Sequence, residues 1–123
     1  MKLYVVRHGE TVWNELHKVQ GTADIPLAEK GIELAEKTGE ALKEVPFDLC
    51  ITSPLVRARR TAELILEKQP HKVPVIEDKR IQEINFGELE GVVCFTDEHV
   101  FLNEQMEKFF NDPWKFERPK NGE

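Results

Sequence analysis

The chain has 123 residues, 40% hydrophobic and 33% charged, with a formal net charge of −6. That length suits one domain with a modest core, and the composition is globular rather than disordered. The acidic balance argues against nucleic acid or an anionic membrane surface as partner, while leaving room for a small anion gripped by a few converging arginines.

Leu3–Val6 is apolar and β-branched and reads as a buried strand of parallel type. It runs directly into Arg7, His8 and Gly9. A helical turn near Val12–Leu16 follows, then a loop marked by Gly21 and Pro26. From Ala28 to Val45 the apolar positions Ile32, Leu34, Ala35, Ala41 and Leu42 recur among Glu and Lys, predicting an amphipathic helix that Pro46 ends. Phe47–Ser53 reads as a second buried strand. The segment from Pro54 to Gln69 reads as a helix capped by Ser53, with Pro54 as its first residue. Val73–Ile76 reads as a third strand. "TDEHVFLNEQMEKFF", Thr96 to Phe110, predicts a last helix, and "NDPWKFERPKNGE" a polar, proline-containing loop.

Strand alternating with helix is the pattern of an α/β fold with a mostly parallel sheet. Such sheets bind ligands off the carboxyl ends of their strands, where Arg7–His8 and Thr52–Ser53 both fall. No apolar run approaches the roughly 18 residues needed to cross a bilayer, and "MKLYVV" is too short for a signal peptide. Cys50 and Cys94 have no metal-type spacing. A reducing cytoplasm is the expected location, with no disulfide framework.

The arginines of "SPLVRARRT" run against the field of the helix they begin. A helix N-terminus carries about half a positive charge and ordinarily attracts Asp or Glu. Arg59 and Arg60 are explained by pairing with surface carboxylates. Arg57, nearest the strand end, is the better ligand for an anion. Arg7 has the same fork geometry for a tetrahedral phosphate. A neutral His8 beside it can attack phosphorus if its other ring nitrogen keeps its proton on a backbone carbonyl. Glu83, Glu88 and Glu90 fit a solvated face equally well. Glu83, just before the turn "INFG", suits a partly desolvated general acid. Core packing accounts best for Phe86, while Trp13 and Trp114 fit either core or pocket.

"VVRHGETVWN", "GTADIPLAEKG", "SPLVRARRTA" and "EINFGELEG" occur in the order and at the spacing of the histidine phosphatase superfamily, which the chain closely resembles. The resemblance implies a three-layer αβα, phosphoglycerate mutase-like domain over residues 1–123. It implies that His8 is the phosphorylated nucleophile and Glu83 the proton donor. Arg7, Arg57 and Asn14 would hold the phosphate, and Gly21 and Thr22 would lie in a loop lining the substrate pocket. It also implies no metal and no cofactor. Expected activity is phosphomonoester hydrolysis of a small phosphorylated metabolite, of α-ribazole phosphatase-like or broad-specificity type. The tail "RPKNGE" resembles that of small bacterial members. The alternatives are mutase-type phosphoryl transfer and a non-catalytic phosphate-binding module.

One family feature has no match. Members carry a second histidine late in the chain, at the end of a further strand, and His17, His71 and His99 do not fit it. The chain thus resembles the N-terminal part of a full member, as a C-terminal truncation would. Loss of one hydrogen-bond donor to the transferring phosphoryl group costs about a hundredfold or more in rate. Feeble phosphatase activity is therefore expected of these 123 residues. The sheet is expected to keep an unpaired edge.

Overall fold

The computed structural model describes residues 1–123. The chain forms two compact units: the first contains Met1–Thr11 and Asp24–Gln82, the second Val12–Ala23 and Glu83–Glu123.

The first unit is built on a parallel βαβ element. Strand β1, Cys50–Thr52, pairs with β2, Val75–Glu77, in the register Cys50↔Val75, Ile51↔Ile76 and Thr52↔Glu77. Helix α3, Val56–Leu66, connects them. Helix α2, Glu29–Leu42, packs on α3. Its buried face is made of Gly31, Ala35 and Gly39 at helical spacing, not of its larger apolar residues. Leu34, expected in the core, is 55% exposed. Small residues let the two backbones approach closely, and Leu27, Ala35 and Leu64 form the core between them, with Ile32 at its margin. Gly31 is also where the chain of the RHG segment passes: a Cβ on Gly9 would come within 2.8 Å of the Gly31 Cα, and one on Gly31 would run into the Glu10 carbonyl oxygen.

The strands differ from expectation in number and in burial. Leu3–Val6 forms no ladder, and its four side chains are exposed, Leu3 at 81% and Val5 at 88%. β-branched apolar residues suit a strand, but a strand exists only where a neighbour completes its hydrogen bonds. Here the two strands pair with each other alone. Tyr4 stacks edge-on against Phe47 at 5.3 Å. Ile51, Val75 and Ile76 are each about half exposed, so neither paired strand is a buried one.

The start of α3 also differs. Its N-cap residue is Leu55, without a side-chain cap. The Ser53 hydroxyl accepts from the Leu55 N–H at 3.3 Å, a local turn rather than a cap. The first helical amide, on Val56, donates to Asp24 Oδ1 at 2.7 Å. That carboxylate, 32 residues away in sequence, supplies the negative charge the helix start calls for.

In the second unit, helix α1, Val12–Glu15, leads into a two-segment wrap. Lys18 bridges Val93 in antiparallel fashion, and Val19 N–H donates to the Val92 carbonyl at 2.9 Å. Val19, Phe86, Cys94 and Met106 make the core, with Phe109 edge-on to Phe86 at 5.1 Å and Phe116 edge-on to Phe109 at 5.2 Å. Phe86 is thus a core residue. Trp13 lies over Gly91, whereas Trp114 is 95% exposed. The last helix, α4, is shorter than expected, Glu104–Asn111. Asn103 caps it by accepting from Met106 N–H at 3.1 Å. The preceding Thr96–Leu102 instead folds into a tight hairpin, with a bridge between Phe95 and Phe101 and His99 at φ 60°. No helix is long and apolar enough to cross a membrane.

Candidate active site

The first unit brings His8 and Arg57 together. His8 Nδ1 lies 2.7 Å from the Gly9 carbonyl oxygen, and Arg57 Nε lies 3.2 Å from His8 Nε2. A carbonyl can only accept and a guanidinium can only donate. The ring is therefore the neutral tautomer with its proton on Nδ1 and its lone pair on Nε2, turned toward a permanent cation. Arg57 is 2% exposed although its helix is amphipathic and short. Its own carbonyl accepts from the Thr61 hydroxyl at 2.7 Å, one turn on. Arg7, next to His8 in sequence, is exposed.

The neighbouring arginines do something else. Arg59 Nη1 reaches Glu77 Oε1 on β2 at 3.4 Å, and Arg60 Nη1 reaches Glu63 at 3.2 Å. These are exposed ion pairs of small energetic weight. Of three arginines in two turns, the one turned inward is the one facing the histidine.

The remaining expected site residues belong to the second unit. Asn14 is exposed on α1. Glu83 is exposed, and its Oε1 accepts from the N–H of Ile84 at 3.0 Å. The partial desolvation expected of Glu83 is absent, because the buried cluster of this unit begins three residues later, at Phe86. Gly21 is buried and Thr22 half-buried.

Sequence reasoning missed how the loop at Gly21–Thr22 is held. Glu90 receives four hydrogen bonds. Its Oε1 accepts from Thr22 N–H at 2.8 Å, from the Thr22 hydroxyl at 3.1 Å and from Phe86 N–H at 3.1 Å, while Oε2 accepts from Ala23 N–H at 2.7 Å. A Cβ on Gly21 would come within 2.6 Å of the same carboxylate oxygen. A sequence signal existed in the glycine after Glu90: Gly91 sits at φ 83°, marking a designed turn. Nothing in the sequence marks backbone amides as the partners. The other three histidines are accounted for structurally or exposed: His17 Nε2 meets Asp97 at 2.9 Å, His71 Nε2 meets the Phe47 carbonyl at 2.9 Å, and His99 lies in the hairpin turn.

A βαβ element with an inward arginine in its helix and a histidine against it is of the class of arrangement that can hold an anion. The comparison with known proteins makes the class specific: the profile of the histidine phosphatase superfamily (branch 1) matches residues 3–123, and the chain belongs to that family. It is 47% identical over 92 residues to 2,3-bisphosphoglycerate-dependent phosphoglycerate mutase 2 of Gloeobacter violaceus, covering 73% of this chain and 42% of that protein. It is 46% identical over 88 residues to the uncharacterized phosphatase PhoE of Bacillus subtilis, covering 72% and 45%. The solved structure of Bacillus stearothermophilus YhfR superposes with a TM-score of 0.79 at 34% identity, over 95% of this chain and 56% of that one. The fold is thus the phosphoglycerate mutase-like α/β fold with a parallel sheet, and the chain spans about half the length of the relatives it matches.

Proposed function

We propose that the two units are parts of one histidine phosphatase domain that hydrolyses a small phosphomonoester through a phosphohistidine on His8. The observation that carries this reading is the orientation of the His8 ring. Its Nδ1 proton rests on the Gly9 carbonyl, which keeps the lone pair on Nε2. There it now accepts from Arg57, and it would turn to phosphorus when a phosphoryl group draws the guanidinium to its oxygens. The same carbonyl supports the positive charge the ring gains when it is phosphorylated.

In the first step Nε2 attacks in line, the P–O ester bond breaks, and the leaving alkoxide takes a proton from the Glu83 carboxylic acid. In the second step the Glu83 carboxylate takes a proton from water as its oxygen attacks phosphorus. The P–N bond then breaks and inorganic phosphate leaves, restoring the neutral ring. Arg57 and Arg7 would neutralise the equatorial oxygens in both steps, with Asn14 adding a hydrogen bond. Electrostatic stabilisation of this kind is usually the largest part of such catalysis. Gly21 and Thr22 would face the rest of the substrate. The chemistry calls for no metal or cofactor, the net charge of −6 suits a small-molecule substrate rather than nucleic acid, and two free thiols fit a cytoplasmic setting.

A second reading, phosphate binding without turnover, draws on the exposure of Glu83 and the separate structural partners of His17 and His71. The readings divide on His8→Ala. Under the hydrolytic reading this variant loses both turnover of a generic phosphomonoester and the acid-labile phosphoryl label. Under the binding reading wild type shows no label, and inorganic phosphate still binds to the variant. Turnover by these 123 residues is expected to fall well below that of a longer relative such as PhoE. Equal rates would refute the expected weakness.

A further inference from the structure

We propose that Asp24 is a positioning residue for Arg57: its bond to the first amide of α3 holds the guanidinium against the His8 ring. The inference rests on the proposed phosphohistidine reading and adds to it a residue that acts through Arg57. All the residues it uses belong to the first unit.

Leu3–Val6 forms no ladder, so the placement of His8 is set by the residues that follow it. Thr11, fully buried, bridges Leu27 in antiparallel fashion, and Ala28 N–H donates to the Glu10 carbonyl at 2.9 Å. Leu27 is itself fixed in the core with Ala35 of α2 and Leu64 of α3. From Leu27 back to Asp24 the chain is stiff: the Pro26 ring fixes its own φ and confines Ile25 to extended conformations. At the far end of this strap Asp24 Oδ1 accepts from Val56 N–H at 2.7 Å. One end of the strap therefore holds the segment that carries His8, and the other holds the turn that carries Arg57.

That turn needs the hold. The first turn of α3 has no acidic residue, and Leu55 gives it no side-chain cap. Arg57, Arg59 and Arg60 all oppose the field of the helix start. An uncapped first turn frays. Arg57 is the second residue of the helix, so fraying carries away the Nε–H that lies 3.2 Å from His8 Nε2. Asp24 is exposed, so its removal takes away an acceptor and little packing.

The test follows labelling of His8 by phosphoramidate together with the 15N signal of His8 Nε2, which reports the hydrogen bond that nitrogen accepts. Asp24→Ala is expected to slow labelling about tenfold, part of the roughly hundredfold that a misplacement of about 1 Å can cost. It is also expected to move the Nε2 signal toward that of a free lone pair. Asp24→Asn, whose amide oxygen can accept the same bond, is expected to stay within about threefold of wild type. Gly39→Ala presses a methyl group on the Leu64 carbonyl and strains α3 at its other end. It is expected to lower the melting temperature while leaving both the rate and the signal in place. In an Arg57→Lys background Asp24→Ala is expected to slow labelling by less than about twofold more, because residues that act through one contact are not additive.

Equal slowing by Gly39→Ala, or an undiminished effect of Asp24→Ala in the Arg57→Lys background, overturns the inference alone. So does an Asp24→Asn as slow as Asp24→Ala, which would assign the effect to charge rather than to the bond. Absence of label on wild-type His8 overturns the phosphohistidine reading. The ring signal then still judges the placement of Arg57, and a signal that Asp24→Ala leaves unmoved overturns this inference as well.

Discussion

The proton on His8 Nδ1 decides what its other nitrogen can do. With Nδ1 2.7 Å from the Gly9 carbonyl oxygen, that proton stays put, and Nε2 keeps the lone pair that faces Arg57. The sequence aimed the RHG segment and the first turn after β1 at one crevice, because both carry a residue type that a turn alone does not require, but the contact of Arg57 with His8 itself is seen only in the folded chain. Glu90 was not legible. Three of its four donors are backbone amides, two of them 68 and 67 residues away, and a sequence does not mark which amides lack a carbonyl. The partial desolvation expected of Glu83 is not found for a related reason: an apolar turn follows it, but the residue itself is exposed. Arg57→Lys tests the site at this scale. Lys keeps the charge but loses the planar fork and the Nε–H aimed at the ring. Phosphoryl labelling of His8 is expected to slow by about a hundredfold, the usual cost of one donor to the transition state. A change of less than threefold would show that Arg57 serves the fold rather than the reaction.

Helix α2 shows what periodicity can and cannot reveal about an element. Its amphipathic pattern was readable, and its bounds came within a few residues. The pattern nonetheless named Leu34 for the core, whereas the packed face is Gly31, Ala35 and Gly39. Hydrophobicity scales rank large side chains as buried, but a close helix contact selects small ones. Two substitutions separate the readings in thermal unfolding. Gly31→Ala pushes a methyl group into the Glu10 carbonyl and is expected to cost about 1–3 kcal/mol. Leu34→Ala on the exposed face is expected to cost within about 0.5 kcal/mol. The reverse order would return Leu34 to the core. The start of α3 carries a similar lesson: "SP" promised a cap, but the charge that meets the helix comes from Asp24, which only the folded chain brings near.

Across the whole chain, the α/β class was legible from the strand–helix alternation, and the family from four ordered motifs. The number and burial of the strands were not. Leu3, Val5, Ile51, Val75 and Ile76 carry strand-forming side chains, yet all are half exposed or more. A two-stranded sheet is marginal in water, and open apolar edges invite pairing with other chains. Concentration-dependent self-association is therefore expected of these 123 residues. Val75→Lys, at an exposed position of β2, is expected to raise the concentration at which it begins, with unfolding stability changed by about 0.5 kcal/mol or less. Light scattering over a dilution series checks it, and an unchanged onset would place the sticky surface elsewhere. The thiols offer a milder check on the fold. Burial pushes Cys50 and Cys94 up from their ordinary values. Their reaction with a disulfide reagent at neutral pH is expected to be slower in the native chain than in denaturant.

The most direct test of the account is to expose the chain to a small phosphoryl donor and locate any bound phosphoryl group. The account predicts an acid-labile, base-stable label that maps to His8 and is absent from His8→Ala. A label on another residue, an acid-stable one, or none at all under conditions where inorganic phosphate binds would contradict it.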